Sequence, residues 1–445
     1  MQSIQSLSKK MLRAKMHFIR RTLVPLLLIV CCPLMVMLMW YTSTELGGTF
    51  QNLGDLCIKQ GTFYTFYAIW SPVFFGTPTA WKILILFAAF ELLLMKLIPG
   101  KTFKGPVTPA GNIPIYKANG IACFIITYVT FYLLSFRFHL FSPTILYDNL
   151  GGLLGALSIF SFFFCLFLYA KGLLFPSSSD SGSTGNFIFD FYWGTELYPR
   201  IAGWDIKMLT NCRIGMMGWG LILLSYAAKQ HELYGIKDAM LVSVVLQLIY
   251  LTKFFIWETG YLGSLDIMHD RAGFYICWGV LVWIPCVYTS PALYLVNHPH
   301  SLGTGLTITF LILGTASILI NYLADRQRQM VRAKNGQCTV WGKPPELTIA
   351  HYTTAQGERK QSLLLSSGWW GLSRHFHYLP EIFGAFFWSV PALFFDFFPY
   401  FYVTFLTVLL MERAFRDDRR CANKYGTDWK IYCKKVPQKI IPYLF

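Results

Sequence analysis

The chain predicts an all-α fold, a polytopic membrane bundle of about ten transmembrane helices. Three observations predict it. Only 13% of the 445 residues are charged against 55% apolar, where a soluble domain carries about 25% charged residues. The 53 residues from Ala272 to Ala324 contain no Lys, Arg, Asp or Glu, enough for two helices of about 20 residues and a turn. The long apolar runs lack the period-2 alternation of barrel strands, which leaves helices as the structure that satisfies backbone polar groups in lipid.

The elements follow in order. Lys9, Lys10, Arg13, Lys15, Arg20 and Arg21 precede an uncharged run from Thr22 to Thr44. That run is too long for a signal-peptide core and has no small-residue cleavage site. Residues 1–21 therefore read as a basic cytosolic N-terminus and 22–44 as the first span. Further spans are expected near 79–98, 118–138, 150–173, 212–228, 239–257, 272–295, 302–324, 380–397 and 398–412. Those near 212–257 are short and carry polar residues. The last two are parted only by Phe397, Phe398 and Pro399, as a hairpin or a broken helix.

Three polar connections separate these spans. Residues 100–120 are rich in Gly and Pro and cannot be helical throughout. Residues 176–211 open like a flexible Ser-rich linker, but Asp190, Trp193, Glu196, Tyr198 and Arg200 follow, as in an ordered site. Residues 325–368 are charged and β-branched, consistent with a short hairpin. No repeat and no separate soluble domain is evident.

The net charge of +16 fits the positive-inside rule. No basic run interleaves with a nucleic-acid module, so no nucleic-acid partner is expected. The eleven cysteines form no Cys-x-x-Cys pair and read as small core residues rather than disulfides or a zinc site. His375 and His377 lack an obvious third ligand, so no metal is expected.

Ionisable groups inside spans are rare and usually functional. Residues 250–275 are dense with them: Tyr250, Lys253, Glu258, Tyr261, Asp266, His269, Asp270, Arg271 and Tyr275. Tyr250, Lys253 and Glu258 fall roughly along one side of a helix. A structural polar network and a proton path into an apolar cavity both fit. Near the C-terminus, Arg413, Arg416 and Arg420 would share one face of a continuing helix, suited to a ligand with several phosphates. Trp370, Tyr378 and Tyr425 are placed to stack on rings or donate hydrogen bonds.

The stretch from Gly185 to Arg200 resembles the first motif of the sterol reductase family. The stretch from Leu409 to Gly426, with Arg416-Asp417, Cys421 and Lys424-Tyr425-Gly426, resembles the second. Leu363 to Tyr378 resembles a third shared block. The likeness runs from about Trp81 to the C-terminus. It is strongest to the branch that reduces the 7,8 double bond of 5,7-diene sterols, through Ser177–Ser183, Asp266–Trp278, Tyr288–Pro291 and Arg374–Tyr378. Tyr198 stands where many relatives carry Asn, and Glu412 where many carry His. These departures set the chain apart from the delta-14 branch more than from the delta-7 branch.

The resemblance implies one membrane domain over 22–445, with NADPH and sterol pockets in about 250–445, in the endoplasmic reticulum membrane if the cell is eukaryotic and in the inner membrane if it is bacterial. Carried over onto this sequence, it places NADPH at Arg328, Arg332, Leu365, Trp370, His377, Tyr378, Asp417, Cys421, Asn423, Lys424, Tyr425 and Tyr432, and the arginine face adds Arg413. Arg328 replaces a Lys of some relatives, and His377 an Asn. It makes Tyr250 the candidate proton donor; a phenol is a weak acid, of pKa about 10 in water, and Lys253, Glu258, Asp266 or His269 is expected to polarise it or resupply its proton. The sterol is expected to enter from the bilayer lipid. Reduction of another sterol double bond, a methyltransferase and a non-catalytic sterol-binding protein are the alternatives. The cofactor of a methyltransferase has no phosphates and would not call for Arg328, Arg332 and Arg413 together.

Overall fold

A computed structural model describes residues 15–353 and 357–444. Lys9, Lys10 and Arg13 of the expected N-terminus lie outside the described residues. The principal helices are α1 (Val24–Glu45), α2 (Pro78–Leu97), α3 (Gly120–Tyr132), α4 (Leu150–Leu174), α5 (Met217–Tyr234), α6 (Asp238–Ile256), α7 (Phe274–Asn297), α8 (Thr304–Ala333), α9 (Tyr378–Ser389), α10 (Phe401–Tyr425) and α11 (Thr427–Lys435). Three two-stranded antiparallel hairpins accompany them: β1 (Lys101–Lys104) with β2 (Ile115–Ala118), β3 (Arg200–Ile201) with β4 (Trp204–Asp205), and β5 (Leu347–Thr353) with β6 (Arg359–Leu365).

Among the described residues, six helical segments are long and apolar enough to cross a membrane: Lys15–Glu45, Gly120–Arg137, Leu150–Leu174, Asp238–Ile256, Phe274–Asn297 and Thr304–Ala333. They coincide with six of the ten expected spans. The other four differ for local reasons. Helix α2 has the length, but carries Lys82, Glu91 and Lys96. The 212–228 region opens as a π-helix over Met208–Met216 before α5. Helix α9 has only 12 residues and stops at a 3-10 turn over Val390–Ala392. Helix α10 begins apolar and runs on through a charged half.

The chain forms two compact units. The first comprises residues up to 108, 112–225 and 261–289. In it α1 and α2 pack against α4, and Gly155 of α4 sits so close to the carbonyl of Val73 that any Cβ would collide with it. Two of the buried polar pairs here are Thr127 Oγ1, which donates to Glu91 Oε1 at 2.6 Å, and Arg213 Nη2, which donates to Asn119 Oδ1 at 2.8 Å. The Ser-rich stretch expected to be ordered is a hydrogen-bonded knot. Thr108 Oγ1 and Asn112 Nδ2 donate to Asp180 at 2.6 and 2.7 Å, Ser183 Oγ to Asp190 at 2.5 Å, and Arg271 Nη1 to the carbonyl of Gly182 at 2.6 Å. Pairing of this kind removes the cost of burying polar atoms.

The second unit comprises residues 109–111, 226–260 and 290–445. Helices α6, α8 and α9 pack on one another, and α10 packs on α9. Asp238, at the first turn of α6, accepts from the backbone N–H groups of Leu302 and Gly303 at 2.8 and 2.9 Å and so fixes the entry to α8. The hairpin expected in 325–368 is β5–β6, in register from Leu347 opposite Leu365 to Thr353 opposite Arg359. It rests on α10 and α11, with a small apolar core of Ala350, Leu364, Cys421, Trp429, Tyr432 and Val436.

Candidate active site

The second unit holds two adjoining groups of polar side chains. The first is centred on Tyr250, half-buried near the end of α6. Its Oη donates to Glu381 Oε1 at 2.7 Å, and its ring meets Trp388 edge-on at 5.5 Å. Lys253, one turn along α6, places Nζ 4.8 Å from the Tyr250 ring centroid. The same Nζ donates to Asn321 Oδ1 of α8 at 2.7 Å, and Asn321 Nδ2 donates to the carbonyl of His377 at 2.9 Å. A continuous polar path therefore joins Glu381, Tyr250, Lys253, Asn321 and the segment entering α9.

The helpers expected for Tyr250 are differently placed. Helix α6 ends at Ile256, because Trp257 leaves helical geometry (φ −112°, ψ 35°). Glu258 therefore starts a separate four-residue helix, and the shared helix face drawn through Tyr250, Lys253 and Glu258 stops at Lys253. Asp266 and His269 belong to the first unit. There His269 Nδ1 lies 2.9 Å from Asp270 Oδ1, and Asp266 is among the carboxylates acting on the buried Lys207. Lys207 donates to the carbonyls of Leu197, Ile267 and Asp270 at 3.0, 2.8 and 2.6 Å, which ties that loop down.

The second group is a cationic, aromatic cluster. Gly368, with φ +62°, makes the turn before Trp369; a Cβ there would run into Gln327 and Val340. Gln327 Oε1 accepts from the Trp369 N–H at 2.9 Å, and Trp370 Nε1 donates to the carbonyl of Ala324 at 2.7 Å. These bonds seat Trp370 beneath Arg328, whose guanidinium carbon lies 4.1 Å above the ring. Arg328 Nη2 also donates to Asp325 Oδ1 at 3.0 Å. The His377 ring lies 4.9 Å from Trp370 and 4.3 Å from Tyr378. Exposed Arg332 has Nε 3.4 Å from the carbonyl of Leu363, and Tyr432 Oη donates to the carbonyl of Leu365 at 3.1 Å.

Helix α10 runs unbroken through the second motif and, as the spacing predicts, carries Arg413, Arg416 and Arg420 on one face. Arg420 makes two bonds to Asp417 Oδ1, at 3.0 and 2.6 Å. Against the burial that would raise it, Arg420, by its charge and its hydrogen bonds, and Arg328 hold the Asp417 carboxyl below its usual range. Burial pushes the Cys421 thiol up to about 12, and Cys421 sits in the apolar core under β5–β6 as a neutral group. Lys424 sits over Tyr352 and Tyr425 at 3.8 and 5.2 Å. Asn423 is exposed beside this stripe. Arg374, by contrast, is buried and structural: Nη1 donates to the carbonyls of Val436 and Pro437 at 2.7 and 2.8 Å.

Two features of this cluster suit a ligand. Cations crowd it, and His375 Nε2 and His377 Nδ1 are buried with no hydrogen-bond partner among the described residues. Buried polar atoms are almost always satisfied, so a ligand with donors, acceptors and phosphates fits the residues present. Burial also lowers both imidazoles, His375 to about 3 and His377 to about 4 from an ordinary 6.5. Both rings are neutral in the fold, while the unfolded chain protonates them below pH 6.5. Stability should thus be full above pH 6.5 and fall as the pH drops towards 4, by up to about 1.4 kcal/mol per pH unit for each ring. Chemical unfolding in detergent over that window checks this, and His377→Asn should flatten the slope.

Glu381, Asn321 and Asp325 were not singled out from the sequence. Glu381 carried a signal: it is an ionisable group at the head of an apolar run. Asp325 is the first charge after the long uncharged stretch. Nothing in the sequence marks Asn321.

The family described as "Ergosterol biosynthesis ERG4/ERG24 family" matches over residues 27–445. The chain is 54% identical over 420 residues to a 7-dehydrocholesterol reductase of Arabidopsis thaliana, covering 94% of this chain and 96% of the relative. It is 39% identical over 391 residues to a 7-dehydrocholesterol reductase of Xenopus laevis, covering 85% and 83%. It is 38% identical over 425 residues to a Delta(14)-sterol reductase of Methylotuvimicrobium alcaliphilum, covering 94% of each.

Proposed function

Because the chain belongs to the ergosterol biosynthesis ERG4/ERG24 family of sterol reductases, we propose that it reduces the 7,8 double bond of 5,7-diene sterols with NADPH, as a multi-pass protein of the endoplasmic reticulum membrane. The observation that carries this reading is the hydrogen-bonded phenol of Tyr250, linked through Lys253 and Asn321 to a cationic, aromatic cluster in the same unit.

A conjugated diene with no electron-withdrawing group is not electrophilic, so protonation must come first. Tyr250 Oη gives its proton to one alkene carbon, and the other becomes a carbocation. The Lys253 ammonium beside the ring stabilises the phenolate left behind, by an interaction strengthened in an apolar setting. Trp388 fixes the ring, so the phenol is aimed before the sterol arrives. NADPH, when bound, supplies the hydride that the carbocation accepts. Arg328, Arg332, Arg413 and Lys424 would hold its phosphates, and Trp370, His377, Tyr378 and Tyr425 its rings. Leu365, Asp417, Cys421, Asn423 and Tyr432 complete the wall. The sterol enters from the surrounding lipid.

Product analysis tests the reading. The purified protein with NADPH is given 7-dehydrocholesterol, a delta-8,14 diene sterol and desmosterol, and products are separated by gas chromatography with mass detection. Cholesterol from the 5,7-diene alone is the expected result. Reduction of the 8,14-diene instead would move the substrate to that of the 38% identical relative. Sterol bound without reduction would overturn the enzymatic reading.

A further inference from the structure

A phenol that donates to a carboxylate has its proton pointed away from any substrate. In the second unit Tyr250 Oη and Glu381 Oε1 are 2.7 Å apart, a separation that serves a hydrogen bond in either direction. Glu381 lies in the first turn of α9 and is half-buried, so part of it remains accessible from outside the packed helices. On the other side of the phenol lies the Lys253 ammonium, whose own hydrogen bond is committed to Asn321. The phenol thus has one carboxyl group at bonding distance and one cation over its ring.

We propose that Glu381 is a positioning residue that, in its acid form, resupplies the proton Tyr250 gives to the sterol. This rests on the reading of Tyr250 as the donor. With Glu381 protonated, its O–H donates to Tyr250 Oη, and the phenolic hydrogen is turned out to the substrate. As the Tyr250 O–H bond breaks and the new C–H bond forms, the Glu381 O–H bond breaks and a new O–H bond forms on Oη. The phenol is regenerated and the proton deficit moves to a carboxylate, which takes a proton from water before the next turnover. Over the cycle one proton from water and one hydride from the reductant are consumed for each double bond reduced. Carboxylic acids are stronger acids than phenols by about six pKa units, so the carboxyl proton moves downhill onto a phenolate. The same acidity difference explains why a phenol is placed between the carboxyl and the sterol: a carboxylate exposed to the carbocation would capture it, whereas Oη presents a neutral group once reprotonated.

The test compares the full-length wild type with Glu381→Gln and Glu381→Asp in detergent. Readouts are sterol turnover in H2O and D2O, sterol KM, and NADPH affinity by quenching of tryptophan fluorescence. Glu381→Gln should lower kcat about 100-fold or more, the scale of a lost general acid, with sterol KM and NADPH affinity within about twofold of wild type. Glu381→Asp should recover a substantial part of kcat and show an enlarged solvent isotope effect, because its shorter side chain lengthens the proton transfer. Wild-type kcat in Glu381→Gln overturns the proposal. So does a loss in Glu381→Gln that comes with equally weakened NADPH binding and no recovery in Glu381→Asp, since that pattern is structural. If Glu381→Gln does not fold, Glu381→Asp alone decides, and a wild-type isotope effect there overturns the proposal. A wild type that reduces no sterol defeats the reading of the function itself, which separates the two failures.

Discussion

Tyr250→Phe should lower sterol turnover about 100- to 10,000-fold, the range for removing a positioned general acid, while NADPH affinity stays within about twofold. The substitution deletes one oxygen. The ring remains, with its edge contact to Trp388 and the Lys253 ammonium over its face. What goes is the bond to Glu381, and the stability cost of a single such bond is about 1 kcal/mol. A large kinetic loss with a small stability loss is therefore the signature expected. The loss should appear in kcat and kcat/KM together, as for an interaction made in the transition state. Full activity in Tyr250→Phe would remove the phenol from the mechanism. A loss matched by failure to bind NADPH would make Tyr250 a structural residue.

How far the sequence carries is clearest at that residue. The position of Tyr250 on an apolar helix, and the presence of Lys253 one turn away, are legible because i and i+3 neighbours on a helix must lie together. The partner of the phenol is not. Glu381 is 131 positions away, and only the packing of α9 against α6 brings the two together. Proximity in sequence favoured Glu258, Asp266 and His269, but Trp257 ends α6 before Glu258, and the chain then leaves for the other unit. The arginine face of α10 was legible for the same reason as Lys253: the helix continues, so spacing alone fixes the face. Arg374 shows the opposite limit. It lies in a run of basic and aromatic residues, yet its guanidinium is consumed by the carbonyls of Val436 and Pro437, a commitment visible only once the C-terminal segment is folded back. The six spans that the structure shares with the sequence reading are the weakly charged ones. The four that differ carry charge, run into a polar end or stop at a 3-10 break, features that hydropathy averages over.

Arg332→Ala should weaken NADPH binding about 10- to 100-fold, a loss of about 1.4 to 2.8 kcal/mol, with kcat at saturating NADPH largely kept. Arg332 is exposed, and its bond to the carbonyl of Leu363 is long at 3.4 Å, so truncation removes little that holds the fold. Charge-assisted bonds to a phosphate are among the stronger polar contacts, and their loss belongs in binding. Asp417→Ala should weaken binding by a different route. A carboxylate repels phosphates, so its contribution lies in what it holds: two bonds to Arg420 and the Cys421 thiol 3.8 Å away. Without Asp417 the Arg420 side chain is released from its fixed place on α10, and the cluster loses a preorganised part. Arg420→Ala made in the Asp417→Ala background should then add little, whereas Arg332→Ala in that background should add its full cost, as independent sites do. Titration of NADPH against these four variants and Arg420→Ala alone measures both terms. Equal additivity for the two pairs would show that Asp417 acts on the ligand directly and not through Arg420. Unchanged affinity in Arg332→Ala would take the cofactor's phosphates away from α8.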